Sequence, residues 1–145
     1  MSSLEKRAWL TLWSQCPAYC IYFAIQVCLP TLVPTLLTHI ACLTLVASVH
    51  ALSYIVGLLL IKRGERGENL LEDERDRAID GRATRAAYFV LLTGMIVVGV
   101  FMPLDHADSS GGWKIVNSAL FFIVLSETVR QVLIVAGYRR PRLAH

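Results

Sequence analysis

Two charged side chains interrupt an otherwise apolar segment near the carboxyl end of the chain. Glu127 and Arg130 are three residues apart, so on a helix their side chains lie on one face and can pair. An ionised side chain at the centre of a bilayer costs about 2.5–3.5 kcal/mol on insertion scales, and pairing offsets part of that cost. The pair either orients its helix as a neutralised unit or belongs to a proton or substrate site, and the sequence allows both.

Further polar residues occur at a similar depth in the other apolar segments. Counting 1.5 Å per residue from the basic end of each segment places all of them roughly 10–16 Å into it. Polar side chains at one level can hydrogen-bond to each other inside a bundle, whereas in lipid they lose their partners. We therefore predict an intramembrane polar layer in which Glu127 pairs first with Arg130 and His50 can exchange a proton with that pair. Its members are Gln15, His50, Tyr54, Thr93, Glu127 and Arg130.

Histidines and cysteines are the residues that would hold a metal ion or haem. His39 and His50 are eleven residues apart and share nearly one helix face, but no other apolar segment contains a histidine, so only a dimer would supply the second haem ligand. A zinc or copper site at His50 and Cys20 lacks two further ligands. We predict no metal and no cofactor, and leave a metal or haem at His39 and His50 of an oligomer open.

Enzyme motifs are missing from the sequence. The chain has no Gly-rich phosphate loop, no Gly-x-Ser-x-Gly, no His-Glu-x-x-His and no Cys-x-x-Cys. The turn with Asp105, His106 and Asp108 is followed by flexible glycines that offer little preorganisation. We expect no enzymatic activity. The four cysteines lie within apolar segments, which predicts free thiols, with a disulfide between Cys28 and Cys42 as the alternative.

Four apolar segments must position these residues. The chain is 55% hydrophobic with a mean hydropathy of +0.54, well above a soluble domain of this size. About 20 apolar residues cross a bilayer core, and prolines or glycines break the chain after the first and third segments. We predict an all-α integral membrane four-helix bundle, residues 1–145, made of two antiparallel helical hairpins joined by a cytoplasmic amphipathic helix. The spans cover residues 8–29, 36–61, 86–104 and 115–136, and the connecting loop covers 62–85.

Basic residues predict how these spans are oriented. Lys and Arg are concentrated before the first span, between the second and third, and after the fourth. Because basic residues resist translocation, we expect both termini and the middle loop in the cytoplasm and the chain in the inner, cytoplasmic membrane. The net charge is +3, and the basic residues lie at segment ends and not along one face. This distribution argues against direct nucleic-acid binding.

The charged middle segment is the second candidate site. Asn69 and Glu72 have the spacing of a helical capping box, and the helix then leads into the third span. Four interpretations stay open: a solvated helix held by surface ion pairs, a protein-docking surface, a divalent-cation site on the acidic stripe, and a contact with anionic lipid headgroups. The docking surface comprises Asp73, Glu74, Arg75, Asp76, Arg82 and Arg85, and the acidic stripe comprises Glu72, Asp76 and Asp80.

A thirteen-residue run within this segment resembles a known family. The run is Asp73-Glu74-Arg75-Asp76-x-x-Ile79-x-x-Arg82-Ala83-x-Arg85, followed by Tyr88 and an apolar helix. It is similar to small bacterial and archaeal predicted multi-span membrane proteins of unknown function. Arg130 and the closing Tyr138-Arg139-Arg140 also resemble that family, so the resemblance covers the second half. It implies a multi-span membrane fold and an association with transcription regulators encoded nearby, and it supplies no catalytic residue.

These observations favour a non-enzymatic membrane protein. The first hypothesis is a regulatory or sensory component whose cytoplasmic charged helix docks a protein partner. The alternative is a small oligomeric transporter or channel that uses the polar layer of Glu127, Arg130 and His50. The expected partners are the lipid bilayer, a cytoplasmic regulatory protein and further copies of the chain in a homo-oligomer.

Overall fold

All regular secondary structure in the described part of the chain is helical. The computed structural model describes residues 3–29, 31, 35–64, 74–102 and 111–139. Within these ranges lie α1 (Ser3–Cys28), α2 (Leu36–Gly64), α3 (Glu74–Ile96) and α4 (Gly111–Arg139). A π-helical segment, Val97–Phe101, continues α3 without a break. The predicted all-α class is confirmed.

Three of the described helices are long and apolar enough to cross a membrane. They cover Leu37–Arg63, Glu74–Phe101 and Gly112–Arg139. Helix α1 is not among them, because Ser14, Gln15, Pro17 and Gln26 make its apolar stretch more polar than the others. The fourth span, over residues 8–29, therefore stays a prediction.

Helix α3 joins the charged middle segment to the apolar segment that follows. It begins at Glu74, twelve residues before the predicted start of the third span at residue 86, and runs on through that span. The prediction that the charged helix leads directly into the membrane segment is confirmed. The predicted helix start, with Asn69 and Glu72, lies outside the described residues.

The chain divides into two units, Met1–Leu71 and Glu72–His145. In the first unit α1 packs on α2, and the buried residues Ala8, Gln15 and Tyr22 recur every seventh position of α1. A Cβ added at Gly57 would lie 2.2 Å from a methyl carbon of Leu10, so α2 approaches α1 closely there. Since Tyr19 contacts His50 nearer the other end of this pair, the contacts run in opposite order along the two helices.

In the second unit α3 packs along α4. Small residues on α3 line this contact: Ala83 and Ala87 are buried, as is Gly94. An added Cβ at Gly94 would lie 2.2 Å from Cγ of Phe122, so only glycine fits opposite this ring. Small residues allow helix backbones to approach closely in membranes, where lipid tails are as apolar as leucine and packing must supply the attraction. Gly94 and Phe122 therefore fix the rotation of α3 against α4.

We expect Gly94→Ala to lower the free energy of unfolding of the purified protein by about 1–3 kcal/mol, because its methyl group overlaps Phe122. Gly81→Ala is the matched control, since nothing lies within 4 Å of its added Cβ and alanine favours a helix. Denaturant unfolding in one detergent measures both changes. Equal losses from the two variants would contradict the close contact at Gly94.

Candidate functional site

An ion pair joins α3 to α4 in the second unit. Nη2 of Arg130 donates a hydrogen bond to Oδ1 of Asp80 over 2.9 Å, and the two side chains are 34% and 37% exposed. Asp80 lies 21 residues before Phe101, where the helix that continues α3 ends, and Arg130 lies 19 residues after Gly111, where α4 begins. The two charges are therefore at about the same level along the packed helices. Arg130 is therefore neutralised by an acid on the neighbouring helix.

A second contact lies further along the same pair of helices. The Tyr138 hydroxyl donates a hydrogen bond to Oδ1 of Asp76, and the guanidinium carbon of Arg75 lies 5.8 Å from the centroid of the Tyr138 ring. A guanidinium at this distance from an aromatic face is attracted by the electrons of the ring. Asp76 and Asp80 thus both turn toward α4. We call the contacts of Asp76 and Asp80 with Tyr138 and Arg130 the interhelical clasp.

Glu127 contacts two residues of its own helix. Nε2 of Gln131 donates a hydrogen bond to Oε1 of Glu127, whereas Nη1 of Arg130 is 3.7 Å from the same oxygen. The predicted ion pair of Glu127 with Arg130 is thus present, but it is longer than the 2.9 Å contact of Arg130 with Asp80. Nε of Arg130 is buried and has no hydrogen-bond partner among the described residues.

The other members of the predicted polar layer contact residues of their own helix or their own unit. Thr93 is exposed, and its hydroxyl donates to the carbonyl oxygen of Phe89 on its own helix, over 2.9 Å. The remaining three members belong to the first unit, where Gln15 is buried. There His50 lies edge-on to Tyr19, with ring centroids 5.7 Å apart, and 6.5 Å from the ring of Tyr54. A layer shared by all four helices stays a prediction.

The predicted docking residues divide into two sets. Arg75 and Asp76 face Tyr138 of α4, as described above. Glu74, Arg82 and Arg85 are exposed, and Nε of Arg85 donates to the carbonyl oxygen of Gly81 over 3.2 Å. Asp73 lies outside the described residues. We call Glu74, Arg82 and Arg85 the outer charged surface.

Potential metal ligands are scattered in the described part of the chain. Within it, no group of three or more His, Cys, Asp or Glu side chains has an arrangement that could hold a metal ion. All four cysteines carry free thiols, so the alternative of a Cys28–Cys42 disulfide is wrong. Glu72 of the acidic stripe, and the turn with Asp105, His106 and Asp108, lie outside the described residues.

Comparison with known proteins places the chain in a family. The family described as "Predicted membrane protein (DUF2178)" matches residues 18–142. The chain belongs to this family. The DUF2178 match covers much of the first unit as well as the second, and so extends beyond the second half of the chain on which the resemblance rested. Neither the curated proteins nor the solved structures contain a significant match.

Two members of the clasp have pairings that the sequence pattern does not predict. The pattern assigns Asp80 only to the acidic stripe and Tyr138 only to the family resemblance. A signal for the Asp80–Arg130 pair was nevertheless present, since the two residues lie at similar distances from the segment that joins their helices. Opposite charges at matched distances on consecutive membrane helices indicate a pair when the helices pack in opposite directions.

We expect Asp80→Asn to destabilise the protein more than Glu127→Gln, because Arg130 is closer to Asp80. Double-mutant cycles with Arg130→Gln, measured by denaturant unfolding in detergent, isolate the two coupling energies. Since the side chains are more than one-third exposed, solvent screens them, and we expect about 0.5–1 kcal/mol for Asp80 with Arg130. The coupling of Glu127 with Arg130 should be smaller. Equal values would show that Arg130 does not discriminate between the two carboxylates.

Proposed function

We propose that the chain is a non-enzymatic regulatory component of the cytoplasmic membrane, and that the outer charged surface of α3 binds a protein partner. The observation that carries this proposal is the sorting of charge around the beginning of α3. Asp76 and Asp80 turn toward α4, whereas Glu74, Arg82 and Arg85 are exposed. At 100° per residue, these three lie on the side of α3 opposite the two aspartates.

The interhelical clasp makes this surface suitable for recognition. A charged segment tethered by a flexible linker would lose conformational entropy on binding, which weakens the complex. Here the segment is continuous with an apolar helix and is held to α4 at Asp76 and Asp80. The outer charged surface is therefore preorganised, and a partner that binds it acts directly on a helix able to cross the membrane.

The charge of the surface indicates the chemistry of the partner. With one glutamate and two arginines, the outer charged surface has an excess of positive charge. A partner segment that is mainly acidic, with a base opposite Glu74, would be complementary, and such complementarity sets specificity and the rate of association. The segment would be cytoplasmic, as the positions of Lys and Arg favour.

The wider architecture belongs to the same proposal. We propose two antiparallel hairpins that form a four-helix bundle, with both termini and residues 62–85 in the cytoplasm. The family description and the three apolar helices support the membrane location. None of the residues in the most apolar window of Leu37–Arg63 is buried, which is compatible with cover by lipid or by another copy in a homo-oligomer. The alternative, a transporter or channel using Glu127, Arg130 and His50, stays a prediction.

We expect the charge exchange Glu74→Lys with Arg85→Glu to reduce partner binding about tenfold or more, because two complementary contacts become repulsive. This variant keeps the net charge, so basic-residue control of topology is largely preserved. Affinity purification of the full chain from its own membranes, with quantitative mass spectrometry of bound proteins, measures the effect.

The control makes the same exchange at the start of α1, as Glu5→Lys with Arg7→Glu. A specific partner should be lost from the α3 variant and retained by the control. If both variants retain every bound protein, or both lose the same ones, the outer charged surface is not a docking site.

A further inference from the structure

A groove lies between α3 and α4 beside the interhelical clasp. Its volume is about 460 Å³, and its lining includes Arg75 and Arg82 together with small or apolar residues of both helices. Ile79 contributes from α3, and Leu133, Ala136 and Gly137 contribute from α4. The volume falls within the range of about 300–1,000 Å³ typical of small-molecule sites. Two cations above an apolar floor suit an amphipathic anion.

Small residues explain why the groove is open and yet well formed. A Cβ added at Gly137 would lie 2.9 Å from Cγ2 of Ile79, so the helices meet closely at that point. Ala136 next to it fills little space, and the floor between the two arginines stays accessible. The shape of the groove therefore depends on the volume of the side chains that line it. A larger residue at position 136 would fill the groove without altering its charge.

The clasp keeps the two arginines available to an external anion. Arg75 and Arg82 are two helical turns apart on one face of α3. Of the three acids of α3, Asp76 and Asp80 are engaged by Tyr138 and Arg130 of α4, and Glu74 is exposed and does not line the groove. Among the described residues Arg82 has no hydrogen bond or ion pair, and no acidic residue of that part of the chain lines the groove. The positive charge at Arg82 is therefore uncompensated there.

The level of the groove indicates which anion would occupy it. Arg82 lies nineteen residues before Phe101, the end of the π-helical segment, which is roughly 29 Å along the helix. That length matches the hydrocarbon core of a bilayer, about 30 Å thick. When Phe101 is at one boundary of the core, Arg82 is at the other, where phosphate groups of lipids are found.

From charge, shape and level together, we infer that the groove binds one anionic glycerophospholipid. Its phosphate lies between Arg75 and Arg82, and an acyl chain follows the apolar floor past Leu133 toward the membrane. Basic pockets between membrane helices recognise anionic headgroups in this way. The lipid would fill space between α3 and α4 and so reinforce the contact held by the clasp. Arg82 belongs to both this groove and the outer charged surface, whereas Glu74 and Arg85, which the docking test exchanges, do not line the groove.

Native mass spectrometry tests the inference with the full chain in nanodiscs that contain equal amounts of phosphatidylglycerol and phosphatidylcholine. We expect one retained phosphatidylglycerol per chain, in preference to phosphatidylcholine. Arg82→Gln should lower that occupancy about fivefold, the factor that corresponds to removing one lipid-facing charge. Arg63→Gln is the control, because it removes an exposed arginine from the end of α2 with the same change in net charge.

Ala136→Leu provides a second test that leaves the charge unchanged. Filling the groove should also reduce phosphatidylglycerol retention when circular dichroism shows an intact helical fold. If the variant misfolds, the comparison of Arg82→Gln with Arg63→Gln still decides the question.

Equal losses from those two arginine variants would show a general attraction to anionic lipid and overturn the site. Release of the lipid by excess inorganic phosphate would equally overturn it, by identifying a site for free anions. Partner binding that survives the exchange at Glu74 and Arg85 would fail only the docking proposal, because neither residue lines the groove.

Discussion

An arginine on an apolar helix is stabilised by a nearby anion, and in the second unit the anion beside Arg130 is Asp80. The other contacts of this unit depend on that pair. The ion pair with Asp80 connects the apolar stretch of α4 to the charged beginning of α3. Both side chains are about one-third exposed, so solvent weakens their attraction, but loss of either partner leaves the other charge without this counter-ion. The pair favours the register in which Asp80 and Arg130 are level, and the small residues Ala83, Ala87 and Gly94 determine how closely the two helices approach.

The same pairing determines which charges the protein presents outward. Because Asp76 and Asp80 are used between helices, the exposed side of the segment retains Glu74, Arg82 and Arg85. A run that alternates in sequence between acids and bases is thereby separated in space into an inner acidic side and an outer, mainly basic one. Recognition of a protein or of lipid headgroups would follow from this separation, since each requires positive charge that is not neutralised within the chain.

The first unit shows a different balance of polar and apolar groups. Its buried positions include Gln15 and Tyr22 on α1, whereas the most apolar part of α2 contributes no buried residue. Helix α2 thus presents apolar side chains outward, as a helix in a lipid environment does. His50 is surrounded in part by the rings of Tyr19 and Tyr54, and its Nδ1 atom is buried with no hydrogen-bond partner in the described residues.

Much of the secondary structure was predictable because it depends on local properties of the chain. Runs of about 20 apolar residues predict membrane helices, and the predicted spans 36–61, 86–104 and 115–136 correspond to the three helices that can cross a membrane. The continuity of the charged segment with the third apolar segment was also predictable, since no proline lies between them. For α1 the pattern was less decisive, because polar residues and Pro17 interrupt its apolar run.

The sequence by itself determined the all-α class, the apolar helices and the conclusion that Glu127 and Arg130 share a helix face. Only the tertiary structure decided that Arg130 bonds to Asp80, fifty residues away, and that Glu127 bonds to Gln131. Hydropathy and helical periodicity are properties of short stretches of sequence, so they show which face of a helix is polar. The choice of partner depends on the rotation and register of one helix against another, and contacts such as Gly94 with Phe122 set these only when the chain has folded.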